Sequence, residues 1–346
     1  MSPESLIKFK FPAAPSEKTG WPWNNQYSQV KQDRLDANQL PRISIVTPSY
    51  NQADFLEETI RSVLLQDYPN LEYFIMDGGS TDGSLEIIKK YAPWLSNWES
   101  EKDKGQSQAI NKGWRHCSGD IFCWLNSDDY LMPNTLFRVA EVFRSYPDAG
   151  FIHGKAEIID YSDQRSGSYL GKEFDLAASL IQSKNPVAQP TTFISKNALL
   201  EVGMLDETLH MSMDWDLWIR LAANFPVHYV NETWAAFRVW SGTKSSNISE
   251  VSSPEHLKAV KKLFLNRKTR NLSLKYKLKA LSANYARDAV YQYMRGQMGL
   301  FRRHMFLSLC LSPCLKERAG KSLIPVMLLG KQLTELLVGI KNKKNA

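Results

Sequence analysis

Asn126-Ser127-Asp128-Asp129 sets two adjacent carboxylates between an apolar run and a helical pattern. Adjacent carboxylates at a loop tip repel each other unless a cation or a helix N-terminus compensates them. A hard divalent ion, Mg2+ or Mn2+, suits such a tip because it takes oxygen ligands from the protein and from substrate phosphates. Capping of the next helix by Asp129 or Asn134 would account for the residues equally well. A second acidic turn, Asp77-Gly-Gly-Ser-Thr-Asp-Gly-Ser84, offers backbone that can approach a ligand closely and a carboxylate that can accept from a base N–H or a ribose hydroxyl. It lacks the lysine of a P-loop and does not fit GxGxxG. Asp82 has a capping task at the following helix; Asp77, at the end of a strand pattern, has none. Asp214 and Asp216 fall in the first turn of a helical pattern, where a carboxylate is favourable and where a general base could stand. Arg238 and Lys244 bracket a Gly-containing loop whose cations could clamp a diphosphate. The six histidines show no HxH or HxxxH spacing, which argues against a zinc hydrolase, and no GxSxG elbow is present.

These residues need a scaffold, and the hydrophobic pattern supplies one. Strands are expected at 43–47, 71–76 and 120–125, and helices at 53–65, 85–91 and 134–145. The first two strands start 28 residues apart, close to the ~30 of a βαβ unit. The expectation is an α/β fold: an open, mostly parallel sheet with helices on both faces. In such sheets functional groups gather at the carboxyl ends of the strands, here Thr47–Asn51, Asp77–Asp82 and Asn126–Asp129. Beyond residue 150 the pattern loosens, with strands expected at 156–160 and 189–195 and a helix at 212–222. Residues 256–340 read as helical.

Charge is divided along the chain. From residue 256 onward 20 Lys and Arg face 3 Asp and Glu, a net +17, whereas the first 255 residues carry −10. An acidic catalytic domain over 41–250, after an N-terminal arm at 1–40 that packs through its tryptophans, and a basic helical C-terminal extension over 251–346, are expected. An anionic membrane surface suits Leu323–Ile340 and the lysines after it. No nucleic-acid-binding motif is visible, so no nucleic-acid partner is expected. With 43% hydrophobic and 23% charged residues, disorder, collagen and a disulfide scaffold are excluded. Four cysteines without CxxC spacing, an N-terminus with no basic-then-apolar segment, and no apolar run near ~20 residues favour a cytoplasmic chain, soluble or peripheral on the cytoplasmic face of the membrane.

Four segments, ISIVTPSYN (43–51), YFIMDGGSTDGS (73–84), DKGQSQAINKG (103–113) and WLNSDD (124–129), resemble family 2 glycosyltransferases in order and spacing. MDWDLWIRLA and FRVWSGTKS resemble that family's acceptor-side segments. The resemblance implies the GT-A (Rossmann-like) fold and transfer of a sugar, with inversion, from a nucleotide-diphosphate sugar to a saccharide or lipid-linked acceptor, as in cell-surface glycan synthesis. It implies that Thr47, Pro48, Ser49, Asn51, Asp77 and Asp103 line the nucleotide, that Asn126 and Ser127 face the nucleotide sugar, and that Asp128 holds Mg2+ or Mn2+. Asp214 would be the catalytic base, and Arg238 and Lys244 would close over the diphosphate. Two positions depart from the family pattern: Asn126 replaces the first Asp of DxD, and Trp240 stands where many members have a His that helps hold the metal. An inactive nucleotide-sugar-binding scaffold and a nucleotidyltransferase are the alternatives.

Overall fold

The structure is a computed structural model that describes residues 11–24, 40–242, 248–265, 272–312 and 324–329. It divides into two compact units, Met1–Phe174 with Pro186–Ser246, and Asp175–Asn185 with Asn247–Ala346.

The first unit begins with β1 (Ile43–Ser49), α1 (Ala53–Leu64), β2 (Leu71–Asp77), α2 (Ser84–Tyr91), β3 (Asn97–Ser100), α3 (Gln106–His116) and β4 (Ile121–Trp124). β5 (Tyr130–Leu131), α4 (Thr135–Ser145), β6 (Phe151–Ile159) and β7 (Arg165–Leu170) follow. The unit's remaining elements are β8 (Thr192–Ser195), α6 (Lys196–Val202), α7 (Met213–Ala222) and β9 (Val227–Arg238); α5 (Leu176–Gln182) lies in the second unit. One sheet holds all nine described strands in the order β3-β2-β1-β4-β8-β6-β9-β5, with β7 on β6.

β3, β2, β1 and β4 are parallel, as the expected βαβ spacing requires. Beyond β4 the sheet is mixed. β8 runs antiparallel to β4 and β6, β7 antiparallel to β6, and β5 antiparallel to β9, while β6 and β9 are parallel. The expected mostly parallel sheet therefore describes this half, and β3, β5, β7 and β9 are additions to the sequence expectation. The strand expected at 156–160 is the end of β6, and that at 189–195 is a short 3-10 turn (Gln189–Thr191) running into β8.

Successive residues of a strand face opposite sides, and both sides of β1 are buried. Ile43 and Ile45 join Tyr73, Ile75, Leu56, Ile60 and Val63 in one core; Val46 joins Phe74, Met76, Ile110, Trp124 and Leu217 in the other. The helix α3 lies directly on β1 because Gly113 has no side chain. A Cβ there would come within 2.6 Å of Val46 Cγ1. Residues 11–24 pack on α1: Arg61 donates to the carbonyls of Pro12, Pro22 and Trp23, and Trp23 Nε1 donates to Glu58 Oε1 at 3.3 Å.

The second unit contains α5, α8 (Ile248–Leu265), α9 (Leu274–Met294), α10 (Met298–Leu311) and α11 (Ile324–Leu329). Ser282 and Ser308 each donate their hydroxyl to the other's carbonyl, at 2.8 and 2.7 Å, which pins α9 to α10. Asn284 Nδ2 reaches Leu180 O at 2.8 Å, which is why residues 175–185 belong to this unit. Ile324 and Met327, within the stretch expected to meet a membrane, pack against the cluster of Ala289, Phe301 and Met305; Leu323 and residues 330–346 lie outside the described residues. No helix among the described residues is long and apolar enough to cross a membrane.

Candidate active site

Parallel register brings the polar strand ends together: Ser49 lies opposite Asp77, and Asp77 opposite Ser100. The Asp77 carboxylate organises its own loop. Oδ2 accepts from Gly79 N, Ser80 N and Ser100 Oγ at 3.1, 2.9 and 2.6 Å, and Oδ1 accepts from Ser80 Oγ at 2.5 Å. Asn51, in left-handed conformation, ties the β1 end to that loop by accepting from Thr81 N at 2.9 Å and donating its own N–H to Ser80 Oγ. Asp82 holds the starts of both α1 and α2 through Ala53 N and Ser84 N, the capping task read from its position.

Two strand-end residues differ from their expected place against a nucleotide. Thr47 turns inward, its Oγ1 3.0 Å from Tyr73 Oη in the core, because odd-numbered residues of β1 face that side. Ser49, on the same side, is buried with a hydroxyl that has no hydrogen-bond partner among the described residues. Pro48 is also buried. The wall that does face outward is Tyr50, 63% exposed, beside Gly78 and Asp103. A Cβ on Gly78 would stand 3.0 Å from Asp103 Oδ2 and 3.3 Å from the Tyr50 ring, so only glycine leaves that cleft open. Asp103 Oδ1 accepts from Gly105 N at 2.8 Å, leaving the carboxylate partly exposed at the start of α3.

At the β4 end, Asn126 is clamped from both sides. Gln106 Nε2 donates to its Oδ1 at 2.6 Å, and its Nδ2 donates to Gln189 Oε1 at 3.1 Å. Gln189 in turn donates to Trp124 O at 2.8 Å. Ser127 is buried behind it. The adjacent carboxylates then part company. Asp129, 1% exposed, accepts the backbone N–H of Arg238 at 2.9 Å, and burial and the charge of Asp128 hold its pKa well above the usual range. Asp128 keeps partial exposure; Trp240 Nε1 lies 3.4 Å from its Oδ2. Desolvation raises the Asp128 pKa, and the Trp240 N–H and the charge of Arg238 oppose that rise. Phe55 and Tyr161 pack on the Trp240 ring and fix it.

Arg238 is not placed as an outward diphosphate clamp. Its guanidinium is 1% exposed and donates to Glu58 Oε2, Asp128 O and Asp160 O at 2.7, 3.0 and 2.9 Å, with Asp163 paired beside it and Phe55 beneath. The reason is position: it is the last residue of β9, and strand pairing points it into the seam between β5 and α1. Lys244 lies outside the described residues.

Asp214 sits in the first turn of α7, half-buried. Its helix is set against the β4 tip through α3: Ser107 Oγ lies 2.7 Å from Met213 Sδ, one residue from Gln106, which holds Asn126. Trp218 of α7 stacks on Trp124 at 5.3 Å, beneath the same tip. The two carboxylates of that first turn have different tasks. Asp216 is buried in an ion pair with Arg220, whose guanidinium also binds the carbonyls of Val202, Gly203 and Met204. Asp214 keeps partial exposure. Gln106 and Gln189 were not singled out from the sequence; Gln106 lies inside the DKGQSQ motif, while Gln189 carried no signal.

The donor set fits a divalent cation only in part. Among the described residues no three His, Cys, Asp or Glu side chains converge. Asp129 points inward, Asn126 Oδ1 is occupied by Gln106, and Trp240 presents a hydrogen-bond donor. Asp128 alone remains, which suits an ion that takes its other ligands from a substrate's phosphates.

Glu58 gives this network a pH dependence. Burial first, and the charge of Asp163 second, raise its pKa to about 7, against the opposing charge of Arg238. Glu58 is therefore protonated in both folded and unfolded states in acid, and its contribution to stability is lost as pH rises through about 7. Glu58→Gln stays neutral throughout. Its stability relative to the parent chain should climb by about 1–3 kcal/mol between about pH 5 and about pH 8, read as melting curves across that range. A difference that does not vary with pH would contradict this account.

The model of the glycosyl transferase family 2 domain matches residues 44–203. An uncharacterized glycosyltransferase of Rickettsia bellii (strain RML369-C) is 27% identical over 276 residues, 76% of this chain and 39% of its own. One from Nostoc sp. is 33% identical over 158 residues, 44% of this chain and 49% of its own. The chain thus spans less than half the length of these two relatives. Among solved structures, S. aureus TarS 1–349 in complex with UDP-GlcNAc superposes with a TM-score of 0.60 at 17% identity, covering 79% of this chain and 82% of that one. The mannosyltransferase PcManGT from Pyrobaculum calidifontis, in complex with GDP-Man and Mn2+, gives 0.51 at 17% identity over 80% and 86%. At such identity the likeness carries the fold alone, which is that of GT-A glycosyltransferases.

Proposed function

We propose that the chain, whose residues 44–203 match the model of the glycosyl transferase family 2 domain, moves a sugar, with inversion, from a nucleotide-diphosphate sugar to a saccharide or lipid-linked acceptor. The observation that carries this reading is the convergence of two strand ends and the start of α7. Gln106 and Ser107, neighbours on α3, link Asn126 of the β4 tip to Met213 beside Asp214.

In this reading the nucleotide enters the cleft of Tyr50, Gly78 and Asp103. Tyr50 offers a ring face to the base, and Asp103 an acceptor for its N–H groups or for a ribose hydroxyl. The Asp77 loop, rigid through its four donors, shapes the floor. Asp128 faces the diphosphate and would hold Mg2+ or Mn2+ carried in with it; such an ion neutralises charge on the departing diphosphate. Asp214 accepts the proton of the acceptor hydroxyl as that oxygen attacks the anomeric carbon from the face opposite the leaving group. One displacement inverts the centre and needs no carboxylate nucleophile. The basic C-terminal residues support a peripheral position on an anionic cytoplasmic membrane face, with the acceptor a growing cell-surface glycan.

The test is titration of the purified chain with UDP-, GDP- and dTDP-sugars, with and without Mn2+, followed by calorimetry and by release of nucleoside diphosphate. Selective binding that fails in Asp128→Ala is expected; no binding to any donor would overturn the reading. Tyr50→Ala removes the exposed ring without touching the core. Loss of base–aromatic stacking, about 1–3 kcal/mol, should raise the donor KM roughly 5- to 100-fold with kcat little changed. An unchanged KM would place the base elsewhere.

A further inference from the structure

The second unit carries a solvent-open cavity of about 740 Å3, none of whose lining residues belongs to the candidate active site. Its wall on α8 is Lys258, Lys261 and Lys262, three cations on one helix face, with Pro254, Leu257 and Leu265 among them. α9 contributes Asp288 and Gln292, and α10 contributes His304. The floor is built from these last three. Asp288 is buried and accepts from His304 Nδ1 at 2.5 Å and from Gln292 Nε2 at 3.3 Å. That pairing commits His304 Nδ1 and leaves Nε2 as the ring's other polar atom. Lys261 is positioned by its ammonium lying 4.6 Å from the centre of the Tyr285 ring.

The lining is asymmetric in chemistry. Its one carboxylate is turned to His304 and Gln292, so the lysines outweigh it and the cavity as a whole favours an anion. Three ammonium groups and an imidazole match the several oxygens of a phosphoryl group, each contact being charge-assisted. Leu265, 82% exposed and one turn beyond Lys261 and Lys262, is poorly placed for water and well placed for hydrocarbon. We propose that this cavity binds a phosphate-bearing ligand through Lys258, Lys261, Lys262 and His304, with Leu257 and Leu265 accommodating an apolar portion. The site lies entirely within α8, α9 and α10 and stands or falls independently of sugar transfer.

Two sources can present that chemistry, a lipid headgroup or a soluble phosphate, and the probes separate them. Inorganic pyrophosphate is titrated into the full-length chain by calorimetry. Vesicles of phosphatidylcholine with and without phosphatidic acid are tested by co-sedimentation. The variant Lys258→Gln/Lys261→Gln/Lys262→Gln should weaken binding roughly tenfold or more, because it removes three charge-assisted contacts at once. A charge-matched control, Lys275→Gln/Lys277→Gln/Lys279→Gln, alters lysines outside the cavity lining and should leave binding within about twofold. Circular dichroism and melting temperature establish that both variants fold, and His304→Gln supplies a second test if the triple variant does not. Saturable pyrophosphate binding lost only in the cavity variant supports the site with a soluble ligand. Binding to phosphatidic acid vesicles alone, lost in the same variant, supports it with a lipid headgroup. Equal loss in both variants would show general surface charge and overturn the proposal, as would no binding of either probe.

Discussion

Asp214→Asn is expected to lower kcat for sugar transfer by about 10²–10⁴-fold, the range for removal of a general base, with donor binding and melting temperature nearly unchanged. Two carboxylates divide the labour at the start of α7. Asp216 is buried and committed to Arg220, and through it to the carbonyls that end α6. Asp214, two residues earlier, keeps partial exposure on a helix whose first turn is anchored to the β4 tip through Ser107, Gln106 and Asn126. Asparagine preserves shape and hydrogen bonding at the helix start but cannot accept the acceptor's proton. The loss should therefore fall on kcat, while calorimetry with the donor alone reports an unaltered Kd. Asp216→Asn should show the reverse, a lowered melting temperature that dominates any kinetic effect. Transfer by Asp214→Asn at the parent rate would remove this residue from the chemistry and require another base.

The parallel half of the sheet was legible because strands buried on both faces are written as continuous β-branched and aromatic runs ending in polar turns. ISIVT, LEYFIM and DIFCWL could be little else, and their spacing implied the crossover helices. The mixed half was less legible. β5 has two residues, too few for any period, and β9 (VHYVNETWAAFR) alternates weakly because much of it is only half-buried. That weakness explains the misplacement of Arg238. A cation before a Gly-containing loop looks available to a phosphate unless its strand is recognised, and the register of β9 against β5 turns it inward. Thr47 failed for a simpler reason, since one position along a strand decides between cleft and core. The clamp on Asn126 was beyond reading: Gln106 and Gln189 come from 20 positions before it and 63 after, and nothing local marks a glutamine as a positioning residue. Asp77, by contrast, caps no helix. Its carboxylate binds the glycine loop that sequence placed after it.

Arg238→Met should cost about 3–5 kcal/mol of stability, the penalty for stripping one partner from a buried charge network. At about 2–4 °C per kcal/mol for a unit of this size, the melting temperature should fall by roughly 6–20 °C. Methionine fills part of the volume but donates nothing, so Glu58 Oε2 and the carbonyls of Asp128 and Asp160 lose their donor together. The Arg238 side chain holds Asp128 by its carbonyl while its backbone N–H holds Asp129, so the β4 tip should loosen as stability falls. A double variant distinguishes this from a direct role in substrate binding. Adding Glu58→Gln to Arg238→Met removes the stranded carboxylate, and the pair should be more stable than the sum of the single losses allows. Were Arg238 instead a clamp on the diphosphate, Arg238→Met would melt near the parent temperature, lose donor affinity, and gain nothing from Glu58→Gln. Melting curves of the four proteins, with and without a nucleoside diphosphate, separate the two accounts: burial requires a stability defect in the absence of any ligand.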